Sequence, residues 1–204
     1  MKNKTTQGIT LIIVAVLVAT FTIRRDLSWS NIEESGLAVA TNTALAAGAV
    51  PSLASAIEYP DELSIPKINV VSNVQHLGVT KSGNMQAPDN FSDVSWYKLG
   101  VIPGEKGSAV IAGHKNGVYV RGVFRRLNEL KVGDSVYVAR ANGEKLHFKV
   151  VETAVYPYDK APLERIFTAS DGTYLNLITC TGNWNESIGS SDHRLVVYTE
   201  LVAN

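Results

Sequence analysis

From about residue 60 to the end, short apolar runs alternate with clusters of turn-forming residues. The runs are rich in Val, Ile, Leu, Thr and Tyr, which favour strands. They predict seven strands, at Leu63–Ile68, Val71–His76, Ser108–His114, Asp134–Ala139, Lys145–Tyr156, Thr173–Cys180 and Arg194–Leu201. So many short strands in about 145 residues predict an all-β domain, either a closed barrel or a sandwich.

Helix is scarce in this part of the chain. Short helical turns are predicted around Phe91–Trp96, Val123–Leu130 and Ala161–Phe167. Asn142-Gly143 lies between two predicted strands and indicates a hairpin with a type I′ turn, in which both central residues need a positive φ.

The N-terminus has a different pattern. Gly8–Ile23 carries no charge and is apolar on all sides, with Lys2 and Lys4 before it and Arg24 after it. Sixteen residues make about 24 Å of helix, close to the thickness of a bilayer core once the flanking lysines and arginines reach outward. The pattern favours an uncleaved membrane anchor over a buried soluble helix.

The segment after the anchor is rich in Ala, Ser, Thr and Gly and has no sustained amphipathic stripe, which is typical of a stalk. The expected organisation is therefore an anchor at residues 1–25, a stalk at 26–59 and one folded domain at 60–204. Basic residues flank both ends of the anchor, so charge does not fix its orientation.

Composition excludes several classes. The 204 residues include 19 basic and 19 acidic side chains, a balance that argues against a broad cationic face for nucleic acid. The only cysteine, Cys180, excludes an intrachain disulfide and a multi-cysteine zinc site. His76, His147 and His193 are scattered singly, and no metal site or cofactor is expected.

Three residues stand at strand ends, where a rigid backbone meets a loop: His114, Cys180 and Arg194. Taken singly, each has an ordinary interpretation as a structural histidine, a core thiol or a solvated charge. Together they supply the groups that acyl transfer needs. A cysteine is a nucleophile, a histidine can accept and return a proton, and an arginine can stabilise an oxyanion.

The residues around these three resemble a known family, the sortases. The resemblance rests on Ala112-Gly113-His114, Leu177-Ile178-Thr179-Cys180 and Arg194 leading Val196-Val197-Tyr198. It extends to Ile65–Val70, Val94–Tyr97 and Gly104–Val110, and covers residues 62–201. Sortases are membrane-anchored cysteine transpeptidases of Gram-positive-type cell surfaces.

The resemblance implies an eight-stranded β-barrel in which His114, Cys180 and Arg194 are catalytic and Thr179 shapes the substrate pocket. It also implies an extracytoplasmic domain and no cofactor. The partners implied are secreted proteins with a sorting signal similar to Leu-Pro-x-Thr-Gly, and an amine acceptor such as a cell-wall precursor. Residues 8–23 would insert into the membrane. No nucleic-acid partner is expected.

One departure from the family signature and two missing features narrow the sortase subclass that the chain resembles. The family signature before the cysteine usually reads Thr-Leu-x-Thr-Cys, and Asn176 stands here in place of its first threonine. No hydrophobic segment that would serve as a second, C-terminal membrane anchor is expected after Arg194, and the stretch between Tyr158 and Thr173 is too short for a long inserted helix. With these features the chain resembles the class D, E or F sortases, and class F is favoured.

Two other functions are compatible with parts of this sequence. A non-catalytic, membrane-tethered β-barrel that binds partners at the cell surface would explain the anchor, stalk and strands, but would make the His–Cys–Arg placement a coincidence. Ser64-Ile65-Pro66-Lys67 and Ser95-Trp96-Tyr97-Lys98 match the Ser-x-x-Lys form of penicillin-binding proteins. Neither companion motif of that class is present.

Overall fold

The computed structural model describes residues 59–203, and eight strands dominate this part of the chain. They are β1 (Pro60–Ile65), β2 (Val70–Leu77), β3 (Val94–Tyr97), β4 (Gly107–Gly113), β5 (Ser135–Arg140), β6 (Lys145–Pro157), β7 (Thr173–Asn185) and β8 (Ser190–Leu201). A short α-helix, α1 (Leu163–Phe167), lies between β6 and β7, and 3-10 turns occupy Pro66–Ile68 and Leu127–Glu129.

The N-terminal predictions lie outside the described range. The anchor at residues 8–23 and the stalk up to residue 58 therefore stay predictions. Within residues 59–203, no helix is both long enough and apolar enough to cross a bilayer.

The strands close into a barrel in the order β1-β2-β3-β4-β7-β8-β6-β5. The predicted all-β class and the eight-stranded barrel are confirmed. Two neighbouring pairs are parallel, β2 with β3 and β4 with β7, and the remaining pairs are antiparallel. The β4–β7 pair sets the position of the site described below.

The barrel interior is filled by large side chains that are fully buried, among them Trp96, Phe124, Phe148, Leu63 and Ile111. Strand alternation sends every second side chain inward, as in β2, where Val70, Ser72 and Val74 are buried between exposed neighbours. Closing the sheet into a barrel leaves no edge strand unpaired. An unpaired edge strand can pair with a second chain and cause aggregation.

A second apolar cluster lies on the outer face of β4, β7 and β8. Its buried members are Val110, Ile166, Val196 and Tyr198. Because β4 is covered on both faces, six of its seven residues are buried. This explains why the sequence before His114 is a continuous apolar run rather than an alternating one.

The helical turn predicted around Phe91–Trp96 is wrong. Val94–Tyr97 forms β3, which pairs parallel to β2 and antiparallel to β4. Its first three residues are all buried, so the segment shows no polar alternation to mark it as a strand. A four-residue strand is too short to reveal its period without its neighbours.

The hairpin predicted at Asn142-Gly143 joins β5 to β6, but its type I′ turn is wrong. Gly143 has a φ of 86°, whereas Asn142 is not among the residues with positive φ. The Gly143 N–H donates to the Arg140 carbonyl at 2.9 Å, and the Arg140 N–H donates to the Glu144 carbonyl. This is a three-residue loop that ends in a left-handed glycine. Asn142 contributes through its side chain, which accepts from the Glu144 N–H.

Candidate active site

The barrel topology brings the ends of three strands together. β4 and β7 are parallel, with Ala112 opposite Ile178, so His114 and Cys180 each lie two residues further along at the same end. β8 runs antiparallel to β7 and places Arg194 directly opposite Cys180. Three residues that are distant in sequence therefore lie at one edge of the sheet.

Cys180 faces outward from the barrel. Leu177 and Thr179 point into the interior, where they are 0% and 3% exposed. Ile178 and Cys180 take the alternate positions on the outer face and are half-buried. Ile178 packs against the outer apolar cluster, so this cluster extends along the outer face of β7 to the residue two positions before Cys180.

Arg194 uses part of its guanidinium to hold the start of β8. Its Nη1 donates to the carbonyls of Ser191 and His193, at 2.7 and 2.9 Å. Its Nη2 donates to the Ser190 hydroxyl at 3.0 Å. An arginine has five N–H donors. The Nε hydrogen and one Nη2 hydrogen are thus not used in these three bonds.

The Ser190 hydroxyl also approaches the nucleophile candidate. Its Oγ lies 3.8 Å from the Cys180 Sγ. Ser190 is half-buried and begins β8, where it pairs with Asn185 at the end of β7. It was not predicted from the sequence, because a serine four residues before Arg194 carries no local signal of this contact.

His114 is held by the loop between β2 and β3. Its Nε2 lies 2.9 Å from the Pro88 carbonyl, and its ring lies 4.7 Å from that of Phe91, centroid to centroid. A carbonyl can only accept, so Nε2 carries the hydrogen and the neutral ring has its lone pair on Nδ1. No hydrogen bond joins His114 to Cys180 among the described residues.

Thr179 is buried on the opposite face from Cys180. Its hydroxyl donates to the Gly113 carbonyl at 2.7 Å, across 66 residues of sequence. The bond ties the end of β7 to the end of β4, directly before the two residues of interest. Any influence of Thr179 on the pocket therefore passes through the backbone that it holds.

A bulge follows the nucleophile candidate. The β7–β8 register shifts between Thr181 and Trp184, and Gly182 has a φ of 79°. A Cβ at Gly182 would lie 2.1 Å from an Asp192 carboxylate oxygen, so the turn requires glycine. The same carboxylate accepts from the Asn183 N–H and pairs with His193, and this pairing lowers the pKa of Asp192.

The helix α1 covers the outer apolar cluster. Arg165 on α1 makes two hydrogen bonds to the Glu152 carboxylate, and its guanidinium lies 3.9 Å from the Tyr198 ring centroid. The hydrogen bond lowers the pKa of Glu152, while burial raises the pKa of Tyr198. These contacts hold Ile166 and Phe167 over the strands that lead to Cys180.

The Asn176 side chain on β7 also holds α1 against the barrel. It is 1% exposed, and its amide nitrogen donates to the Ile166 carbonyl at 2.7 Å and to the Ser108 hydroxyl at 3.0 Å. One side-chain amide thus connects β7, α1 and β4. A threonine at this position has a single hydrogen to donate and could not make both bonds.

Asn176→Ala is expected to lower the free energy of unfolding by about 1–3 kcal/mol, because it leaves a buried carbonyl without its donor. Urea unfolding at constant m-value measures this loss. Asn128→Ala is the matched control, since Asn128 is exposed, and its change is expected to stay within about 0.5 kcal/mol. Equal stability of the two variants would contradict the bridging role.

The comparisons with known proteins cover this barrel. Residues 63–202 match the Sortase domain family. Sortase D of Bacillus subtilis (strain 168) is 29% identical over 140 residues, which are 69% of this chain and 62% of that protein. The chain thus matches less than two thirds of the length of that relative.

Two solved structures have the same fold. Sortase C-1 from Actinomyces oris superposes with a TM-score of 0.56 at 25% identity, covering 70% of this chain and 73% of that one. Sortase C1 from Streptococcus agalactiae gives a TM-score of 0.55 at 27% identity, covering 71% and 67%. The family match spans β7 and β8, which carry Cys180 and Arg194, and β4, which His114 directly follows.

Proposed function

The chain belongs to the sortase family of cysteine transpeptidases, and from that premise we propose that it cleaves a C-terminal sorting signal similar to Leu-Pro-x-Thr-Gly between Thr and Gly. It then transfers the protein to an amine of the cell wall. The observation that carries the proposal is the meeting of His114, Cys180 and Arg194 at one end of β4, β7 and β8. A binding module without catalysis would have no need of this arrangement.

Cys180 is the proposed nucleophile. Its thiolate attacks the threonine carbonyl carbon and forms a tetrahedral intermediate with a negatively charged oxygen. When this intermediate collapses, the bond to the glycine nitrogen breaks and a thioester to Cys180 remains. The half-buried position on the outer face supports this role, because it leaves the sulfur open to a substrate lying on the barrel.

His114 is the proposed acid and base. As an imidazolium it gives a proton to the departing glycine amine, and as a neutral ring it takes one from the incoming amine that attacks the thioester. The Pro88 carbonyl holds the Nε2 hydrogen, which leaves Nδ1 as the atom for proton transfer. The stack with Phe91 limits the orientations of the ring.

Arg194 is the proposed partner of the developing oxyanion or of the substrate backbone. The two guanidinium hydrogens not used within β8 are available for a carbonyl oxygen. The bonds to Ser190, Ser191 and His193 fix the guanidinium in advance, so that it need not reorganise during the reaction. A preorganised donor stabilises a transition state more than a mobile one.

The half-buried members of the outer apolar cluster form the proposed binding surface for the Leu-Pro part of the signal. They include Ile178 on β7, Phe167 on α1 and Tyr97 on β3. The transfer of apolar peptide side chains from water to such a surface lowers the free energy of the complex. Thr179 is proposed to shape this surface indirectly, through its bond to Gly113.

The proposed location is the outer side of a cell membrane. Residues 8–23 would serve as a single anchor, residues 26–59 as a stalk, and residues 60–204 as the catalytic domain. Secreted proteins with a sorting signal and a cell-wall precursor amine would then meet at the barrel. No nucleic-acid partner is proposed.

The experiment combines a library of signal peptides with several amines, and identifies products by mass spectrometry. We expect products that end in the signal threonine joined to the added amine, with release of a peptide that begins with glycine. Scrambled peptides of the same composition are the control. Absence of any acyl-transfer product across the library would contradict the proposed function.

A further inference from the structure

Ser190 connects the side chains of Arg194 and Cys180, which share no side-chain hydrogen bond with each other within residues 59–203. Its Oγ lies 3.0 Å from the Arg194 Nη2 and 3.8 Å from the Cys180 Sγ. All three side chains are half-buried, so water screens these contacts only in part. The hydroxyl thus lies between a permanent cation and the sulfur.

The chemistry of the groups fixes the direction of the Arg194 contact, and it fixes that of the Cys180 contact once the thiol is ionised. A guanidinium has no acceptor, so Arg194 donates and the Ser190 oxygen accepts. The hydroxyl keeps one hydrogen, and the sulfur of a thiolate, which has no hydrogen of its own, can only accept it. Donation from a cation polarises the hydroxyl and strengthens the bond that it makes in turn.

We propose that Ser190 is a positioning residue through which Arg194 stabilises the thiolate form of Cys180. The inference rests on the proposed function only in assigning the nucleophile to Cys180. The Ser190 hydroxyl donates to the thiolate before attack. When the thioester forms, the sulfur loses its negative charge and this bond weakens, so the bond acts by raising the fraction of Cys180 that is thiolate and not by making each thiolate more reactive.

Other titratable groups also face this part of the molecule. Arg194 is opposite Cys180 on β8 and opposite Tyr156 on β6. His114 follows β4, and Lys115 donates to the Thr181 hydroxyl next to Cys180. The Asp192–His193 pair lies at the bulge. All of them are unchanged when only the Ser190 hydroxyl is removed, so a difference between variants reports on that hydroxyl.

Alkylation by iodoacetamide measures the thiolate directly, because Cys180 is the only cysteine in the chain. The rate is followed against pH in the native protein by mass spectrometry. The thiolate is the reactive form, so the pH at half-maximal rate reports how well the site stabilises it. For Ser190→Ala we expect this pH to rise by about one unit, with roughly threefold slower alkylation below the midpoint, because the higher nucleophilicity of the less stabilised thiolate partly offsets its smaller population.

Ser191→Ala is the matched control. Arg194 contacts Ser191 through its backbone carbonyl, which the substitution keeps. Its pH profile is therefore expected to follow that of the unchanged chain. A second pair, Ser190→Thr and Ser190→Val, has nearly equal side-chain volume and differs in the hydroxyl. The threonine variant is expected to keep the original midpoint, and the valine variant to shift like alanine.

The outcomes separate this proposal from a merely structural role. If Ser190 only ties the hairpin together, its variants lower the melting temperature and leave the pH profile unchanged, and the proposal is overturned. The valine and threonine pair decides the same question where alanine fails to fold. Alkylation needs no peptide, so a shifted midpoint in a chain that transfers no peptide would support Ser190 while contradicting the proposed transpeptidase activity.

Discussion

Cys180→Ala is expected to abolish cleavage and transfer of the signal peptide, with a loss in kcat/KM of about 10⁴-fold or more. Without the thiolate no thioester can form, and no other cysteine in the chain can replace it. The side chain is half-buried and small, so the free energy of unfolding is expected to change by less than about 1 kcal/mol.

The measurement pairs peptide turnover with thermal melting of the same preparation. Cys180→Ser is the matched variant, since it keeps the shape of the side chain and replaces the sulfur by a much weaker nucleophile. Mass spectrometry of the unchanged chain, quenched during turnover, is expected to show the acyl group on Cys180. Turnover that persists in the alanine variant would eliminate the thioester mechanism.

Arg194→Lys is expected to lower kcat/KM by about 10²–10³-fold, the usual result of losing one oxyanion donor, or about 2.7–4 kcal/mol. A lysine has three donors on a single nitrogen, whereas Arg194 makes three bonds within β8 and keeps two further hydrogens for a substrate. The ammonium cannot serve both purposes in the same geometry.

The kinetic constants distinguish two roles for Arg194. Loss of an oxyanion donor lowers kcat, whereas loss of a contact to the bound substrate backbone raises KM. Arg126→Lys is the control, because Arg126 also makes more than one side-chain hydrogen bond, in its case two to the Glu129 carboxylate, and it is exposed and none of its bonds involves the three site residues. Its kinetics are expected to be unchanged. Near-normal kinetics in Arg194→Lys would reduce the role of Arg194 to a general positive charge.

The sequence predicted most strands because their signals are local. Val, Ile and Thr runs bounded by turn residues marked seven of the eight strands, with ends displaced by a few residues. β7 and β8 extend beyond the predicted segments, because the Thr181–Trp184 bulge lets pairing continue to Asn185 and Ser190. β3 was missed, since a short buried segment shows no alternation.

The sequence also indicated the three candidate residues, because each stands directly at the end of an apolar run. It did not indicate Pro88 or Ser190, which reach the site only through the folded β2–β3 loop and the β7–β8 hairpin. Asn176 carried a partial signal as a polar residue within an apolar run. Its bridging of Ile166 and Ser108 required the position of α1.

By itself, the sequence determined the all-β class and the chemistry available at the strand ends, since residue type and spacing along one strand are local properties. Only the tertiary structure decided that β4 lies parallel to β7 and that Cys180 lies opposite Arg194. Such pairing depends on which distant strands together exclude water from the interior and from the outer cluster. The free energy gained by this burial depends on contacts between segments that are far apart in sequence, so it cannot be assigned to any single segment of the chain.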